Sequence, residues 1–153
     1  MADVSLYWFR DDLRLSDLPG LTAAAQAGQV IPVFVRDPHL GDAWRIGSAS
    51  QWWLHHSLLS LRASLAEQGL ELILRSGETV TALTAIAAQT GASTVYCSRH
   101  YQPWSVELET ALYENLSDKG VILKRYSGTL LHQPEDVATG GGTPFKVFTP
   151  FWR

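Results

Sequence analysis

Apolar positions along this chain alternate between short runs rich in β-formers and longer stretches with a spacing of three or four residues. Val4 to Phe9 reads as a strand, and the Ala-rich span Pro19 to Ala27 as a helix closed by Gly28. Val30 to Val35 has the composition of a strand buried on both faces, with Pro32 expected at an irregular or unpaired position because it lacks an amide donor. Arg36 to Ser48 carries Pro38, Gly41 and Gly47 and reads as a loop. From about Ser50, Leu54, Leu58, Leu61 and Leu65 follow at i, i+4, i+7 and i+11, the stripe of a helix ending near Gly69. Leu70 to Leu74 is a third strand, and Val80, Leu83 and Ala87 mark a helix closed by Gly91. Thr94 to Cys97 is a fourth strand. Leu108, Leu112 and Leu116 mark a helix with Ser105 as N-cap and Gly120 beyond its end, and Val121 to Tyr126 is a fifth strand.

This rhythm predicts an α/β fold: an open five-stranded parallel sheet of order 3-2-1-4-5 with helices on both faces, Rossmann-like, since parallel neighbours need right-handed crossovers. Residues 1–126 form that domain. Residues 127–153 carry Pro134, Gly140 to Gly142, Pro144 and Pro150 without a helical period and are expected to be extended. The tail ends on Phe145, Val147, Phe148, Phe151 and Trp152, apolar groups that need cover, so the chain is expected to be a fragment whose tail leads toward something absent.

Composition narrows the class. With 46% hydrophobic and 18% charged residues the chain should fold, and at 153 residues a core is available without staples. The net charge of −3 disfavours a free-standing DNA binder. Cys97 is alone, which excludes an internal disulfide and a structural zinc site. The N-terminus has no basic region before its apolar run, and no stretch reaches the roughly 20 apolar residues of a membrane span, so a cytoplasmic protein is expected.

In open α/β sheets ligands bind beyond the carboxyl ends of the strands, where the strand order reverses. That cleft lies between strands one and four, walled by Phe9 to Asp12, Phe34 to Asp37 and Ser98 to Gln102. The cluster Arg10, Asp11, Asp12 and Arg14 either grips a polar ligand or neighbouring domain, or ties the turn into the first helix as a local salt-bridge network. Trp52 and Trp53 point about 100° apart on a helix, so at least one is expected in the core. His55 and His56 have no nucleophile in a recognisable elbow beside them. Gly140 to Gly142 reads as a turn, because no GxxxxGK[ST] motif exists, and the first strand-helix turn lacks GxGxxG. No catalytic constellation assembles.

Several ordered motifs then carry a resemblance. Tyr7 to Pro19 (Tyr-Trp-Phe-Arg-Asp-Asp-Leu-Arg-Leu-Ser-Asp-Leu-Pro), Val30 to Phe34, Trp52-Trp53-Leu54-His55, and Phe145 to Trp152 (Phe-Lys-Val-Phe-Thr-Pro-Phe-Trp) resemble the N-terminal domain of DNA photolyases and cryptochromes, from Leu6 to the last residue. The resemblance implies a five-stranded α/β unit holding an antenna chromophore, a folate, a deazaflavin or a flavin. It also implies that the tail starts a linker to a helical C-terminal domain that holds FAD. By family position, Phe34, Val35, Arg36, Asp37, Gln51, Leu54, His100, Tyr101 and Gln102 would border the antenna, with no metal and no catalytic residue in this stretch. The chain departs from its relatives at Asp11, where many carry a second Arg, and at Leu18-Pro19, where Asn-Pro is usual. The latter change forgoes a cap worth about 1 kcal/mol, which Asp17 is placed to offset in part. Gln102 stands where relatives often carry Glu, and Ser50-Gln51 where an Arg is common.

The resemblance implies a parent that is a deoxyribodipyrimidine photo-lyase, repairing pyrimidine dimers in DNA by light-driven electron transfer from reduced FAD. The stretch itself is then inactive alone, and its partners are the FAD-binding domain of the same protein and, through the intact protein, damaged DNA. Two other readings are a cryptochrome-like photoreceptor, which shares the domain, and a nucleotide- or flavin-binding domain of electron-transfer-flavoprotein type.

Overall fold

The computed structural model describes residues 3–38 and 46–152. Its elements are β1 (Asp3–Phe9), α1 (Pro19–Ala27), β2 (Gly28–Arg36), α2 (Ser48–Glu67), β3 (Ile73–Ser76), α3 (Thr79–Thr90), β4 (Thr94–Ser98), α4 (Pro103–Ser117), β5 (Ile122–Tyr126) and α5 (Phe148–Trp152). The five strands form one sheet in the order β3-β2-β1-β4-β5, and every pairing is parallel, as the alternation of elements predicts.

Side-chain alternation along the strands builds two cores. Leu6, Trp8, Val33, Val35, Val95 and Cys97 pack with Leu83 and Ile86 of α3 and Leu112 and Leu116 of α4. The intervening residues Tyr7, Phe9, Val30, Phe34 and Tyr96 pack with Leu18, with Ala24 of α1 and with Leu61 and Leu65 of α2. Burial pushes the Cys97 thiol up to about 12, so it serves as a small apolar group.

The junctions depart from the sequence reading in instructive ways. β3 begins at Ile73 rather than Leu70, because the Leu70 N–H bonds back to the Leu65 carbonyl to close α2, and the ladder starts only where Ile73 meets Val33. Pro32 is in register with Tyr7 and sits one residue before that ladder, where β2 is still unpaired on its β3 side. Likewise the Val121 N–H closes α4 on the Leu116 carbonyl, and β5 starts at Ile122. Ser105 does not cap α4: Pro103 suits the first turn, so the helix begins earlier, after Gln102, which makes no side-chain cap. α1 also begins without a side-chain cap at Leu18, while Asp17 adopts φ +53°, a conformation Asp tolerates. At the other end of α1, Gly28 joins helix directly to strand, and a Cβ there would lie 2.3 Å from the Asp3 carbonyl oxygen.

The middle of the predicted loop, residues 39–45, lies outside the described residues. The tail is not wholly extended: α5 occupies 148–152, with Pro150 in its first turn, where the missing N–H has no intrahelical partner to lose. Its rings pack on one another, Phe148 against Trp152 at 5.8 Å and Phe145 against Phe151 at 5.9 Å. Gly140 to Gly142 form a turn in which the Gly142 N–H bonds to the Thr139 carbonyl. Among the described residues no helix is long and apolar enough to cross a membrane, and no cluster of three or more His, Cys, Asp or Glu could hold a metal ion.

Candidate functional site

The carboxyl ends of β1, β2 and β4 open into a cavity of about 610 Å³, within the range of small-ligand sites. β1 contributes Trp8 and Phe9 and then Arg10 and Asp11. β2 contributes Phe34, Val35 and Arg36, followed by Asp37 and Pro38. The first half of α2 supplies Gln51, Leu54, His55 and Leu58, while Ile46, Thr79, His100 and Trp104 complete the lining.

The floor is held by a buried ionic network. Arg10 leaves β1 beneath the indole of Trp8, with its guanidinium carbon 4.4 Å from the ring centre. It donates to the Glu109 carboxylate, to the Ser105 hydroxyl and to the Ser98 carbonyl. Glu109 is fully buried on α4, and its other oxygen accepts from Arg125 of β5 at 3.1 Å. The backbone N–H of His100 also donates to Glu109, at 3.1 Å, so one carboxylate fixes the ends of β1, β4 and β5 together. Two guanidinium groups and an amide satisfy a buried anion that would otherwise be untenable.

His100 is 5% exposed, and its Nδ1 has no hydrogen-bond partner although it is buried. Nδ1 lies 3.7 Å from the Asp11 carboxylate. Burial, followed by the charge of Arg10, holds the His100 imidazole below its ordinary range, so it is neutral near pH 7; Asp11, Glu109 and Asp12 pull the other way without prevailing. On the β2 side, Asp37 accepts from the Thr79 backbone N–H at 2.8 Å and from its hydroxyl at 3.0 Å, tying the strand end to the start of α3.

Seven of the nine residues that the resemblance implies line this one cavity: Phe34, Val35, Arg36, Asp37, Gln51, Leu54 and His100. Tyr101 and Gln102 stand outside the lining. Tyr101 donates its hydroxyl to Gln133 of the tail, beside an ion pair between Arg99 and Glu135, and Gln102 is exposed at the start of α4. Arg10, Asp11, Asp12 and Arg14 do not form one local network. Arg10 reaches α4, Asp12 accepts from the Ser98 hydroxyl at 3.0 Å, and Arg14 donates to the carbonyls of Ser16, Asp17 and Gly128. Neither Trp52 nor Trp53 is in the core, being 62% and 69% exposed: both lie off the Leu54-Leu58-Leu61-Leu65 stripe, and Trp52 packs on His56 instead, ring centres 4.3 Å apart. Glu109 was hidden by its charge, yet Ser105, Glu109, Leu112 and Leu116 follow a helical stripe, so extending the apolar positions back by one turn points to it.

The model of one family, described as DNA photolyase, matches residues 5–153. The chain belongs to the DNA photolyase family. A deoxyribodipyrimidine photo-lyase of Agrobacterium fabrum is 44% identical over 149 residues, which is 97% of this chain and 30% of that protein. Cryptochrome-2 of Arabidopsis thaliana is 35% identical over 100% of this chain and 25% of its own length. The crystal structure of a bacterial class III photolyase from Agrobacterium tumefaciens superposes with a TM-score of 0.90 at 42% identity, covering 100% of this chain and 31% of that one. An archaeal photolyase from Sulfolobus tokodaii, solved with two FAD molecules, gives a TM-score of 0.77 at 27% identity, covering 86% of this chain and 31% of that one. The photolyase-family relatives are thus much longer, and this chain corresponds to their N-terminal α/β domain.

Proposed function

We propose that the strand-end cavity binds a light-harvesting antenna chromophore, a folate, a deazaflavin or a flavin. The protein to which this domain belongs then passes the absorbed excitation to FAD for light-driven repair of pyrimidine dimers in DNA. The observation that carries the reading is the make-up of the cavity in a domain of this family: aromatic and aliphatic walls around about 610 Å³, with a buried imidazole nitrogen lacking a protein partner. Such walls suit a planar ring system, which gains offset contact with Trp8, Phe34 and Trp104 while a few polar groups fix its orientation. The antenna supplies excitation energy and exchanges no bonds. The residues of this chain bind it, orient it and keep water from its faces. FAD and the DNA surface belong to a C-terminal helical domain, which agrees with the net charge of −3 here.

The test is the near-ultraviolet and blue absorption of the purified protein before and after reconstitution with a reduced folate or a flavin. Leu54→Trp, which fills the cavity from α2, is expected to abolish uptake with an unchanged far-ultraviolet CD spectrum. Absence of uptake by the unsubstituted protein would overturn the reading. The similarity to Arabidopsis Cryptochrome-2 over the whole chain favours a photoreceptor as the second reading. Dimer repair by the intact protein under light, with no partner present, decides against it. Membership of the photolyase family removes the ground for the electron-transfer-flavoprotein alternative.

A further inference from the structure

We propose that Asp11 and His100 act as an acceptor and a donor that together read a lactam edge, an N–H beside a C=O, as the pyrimidinone ring of a pterin or an isoalloxazine presents. The inference rests on the antenna reading for the kind of ligand and adds the group by which that ligand is recognised.

The geometry leaves this pair incomplete. His100 is part of the cavity lining and its buried Nδ1 has no hydrogen-bond partner, while at 3.7 Å from Asp11 Oδ2 the two side chains are too far apart to satisfy each other. A buried polar atom left unpaired is costly, so one carried by a lining residue of a ligand-sized cavity calls for a partner from the ligand. The imidazole has little room to turn away, because His100 is 5% exposed and Glu109 holds its backbone N–H. The charged groups facing it are Arg10, Asp11 and Asp12 from the end of β1 and Glu109 from α4.

With the ring neutral, the Asp11 carboxylate favours the tautomer that carries its hydrogen on Nδ1, which makes that atom a donor. Asp11, whose side chain is 79% exposed, supplies an anionic acceptor next to it. An adjacent acceptor and donor are the complement of an adjacent N–H and C=O. A phosphate at this position would meet the Asp11 charge, and a purely apolar ring would leave both groups unpaired. Among the described residues the Asp11 carboxylate makes no hydrogen bond to a backbone group, in contrast to the capping role of Asp37.

The experiment is a fluorescence titration of the full 153-residue chain with lumiflavin and with 6-methylpterin, each beside its N3-methyl derivative, and with AMP. Methylation removes the N–H while keeping ring and shape. In the unsubstituted chain it is expected to weaken binding about tenfold to a hundredfold, the range for a hydrogen bond to a charged group. In Asp11→Ala the parent ligands bind about tenfold more weakly, and methylation changes affinity less than about twofold, because the acceptor it offends has gone. The flavin and pterin arms distinguish which ring system is taken. A methylation effect that is absent in the unsubstituted chain, or that persists undiminished in Asp11→Ala, would overturn the inference and leave the antenna reading standing. AMP binding as tightly as lumiflavin would likewise overturn it. Failure of every probe to bind would overturn both.

Discussion

The floor of the cavity and the first half of α2 beside it use polar and aromatic residues on opposite terms. On the floor, Arg10, Glu109 and Ser105 are buried, mutually bonded and anchored to three strands. On α2, Trp52, Trp53, His55 and His56 are exposed, and the rings of Trp52 and His55 pack on that of His56. The helix that carries them changes character along its length, since Leu61 and Leu65 are buried while Leu54 and Leu58 are only half-buried. A charge at the centre of a domain is held there by its partners. The surface indoles are left open to solvent, Trp52 with a ring contact to His56 of its own helix.

Removing Glu109 breaks this contrast most strongly. Glu109→Ala leaves Arg10 buried without its anion and is expected to cost about 3–5 kcal/mol, read as a lower denaturant midpoint. Helix α2 sharpens the contrast from its own side: Leu65→Ala should cost about 2–5 kcal/mol, and Leu54→Ala distinctly less, because only the former is fully buried.

The pH dependence has a defined sign. The folded His100 pKa lies below its unfolded value of 6.5, so the unfolded chain binds more protons between the two. Its stabilising share is complete above about pH 6.5 and declines as pH falls from there toward the folded pKa. Urea midpoints of the natural chain and of His100→Gln should therefore diverge most at neutral pH and converge on acidification. Tyr101→Phe removes the bond to Gln133 and is expected to cost about 0.5–1.5 kcal/mol, with faster proteolysis of the tail as the more direct readout. Smallest of all, Trp53→Ala should stay within about 0.5 kcal/mol in stability, since the side chain covers little.

The sheet order was legible because hydrophobic runs and helical stripes report burial directly, and the strand-end cleft follows from that order. Junctions were less so: Leu70 is apolar yet closes a helix rather than opening a strand. Glu109 was illegible as a charge because its partners, Arg10 and Arg125, are distant in sequence and only the fold brings them together. The two indoles misled through composition, since large apolar side chains are usually core, and only their offset from the leucine stripe says otherwise. The bond of Tyr101 to Gln133 was illegible because Gln133 lies in a segment without periodicity, where no pattern announces a contact.

The joint at Gly28 bears on how this domain can vary. There α1 passes into β2 with no intervening residue, and even a methyl group would collide with the backbone of β1. The opposite edge of the sheet separates β2 from α2 by residues 37–47. Length changes are thus barred at this joint and admissible in the β2–α2 connection, whose ends border the cavity. A lineage or a designer can reshape the cavity by lengthening or shortening that connection, while the tight joint at Gly28 keeps β2 in register with β1.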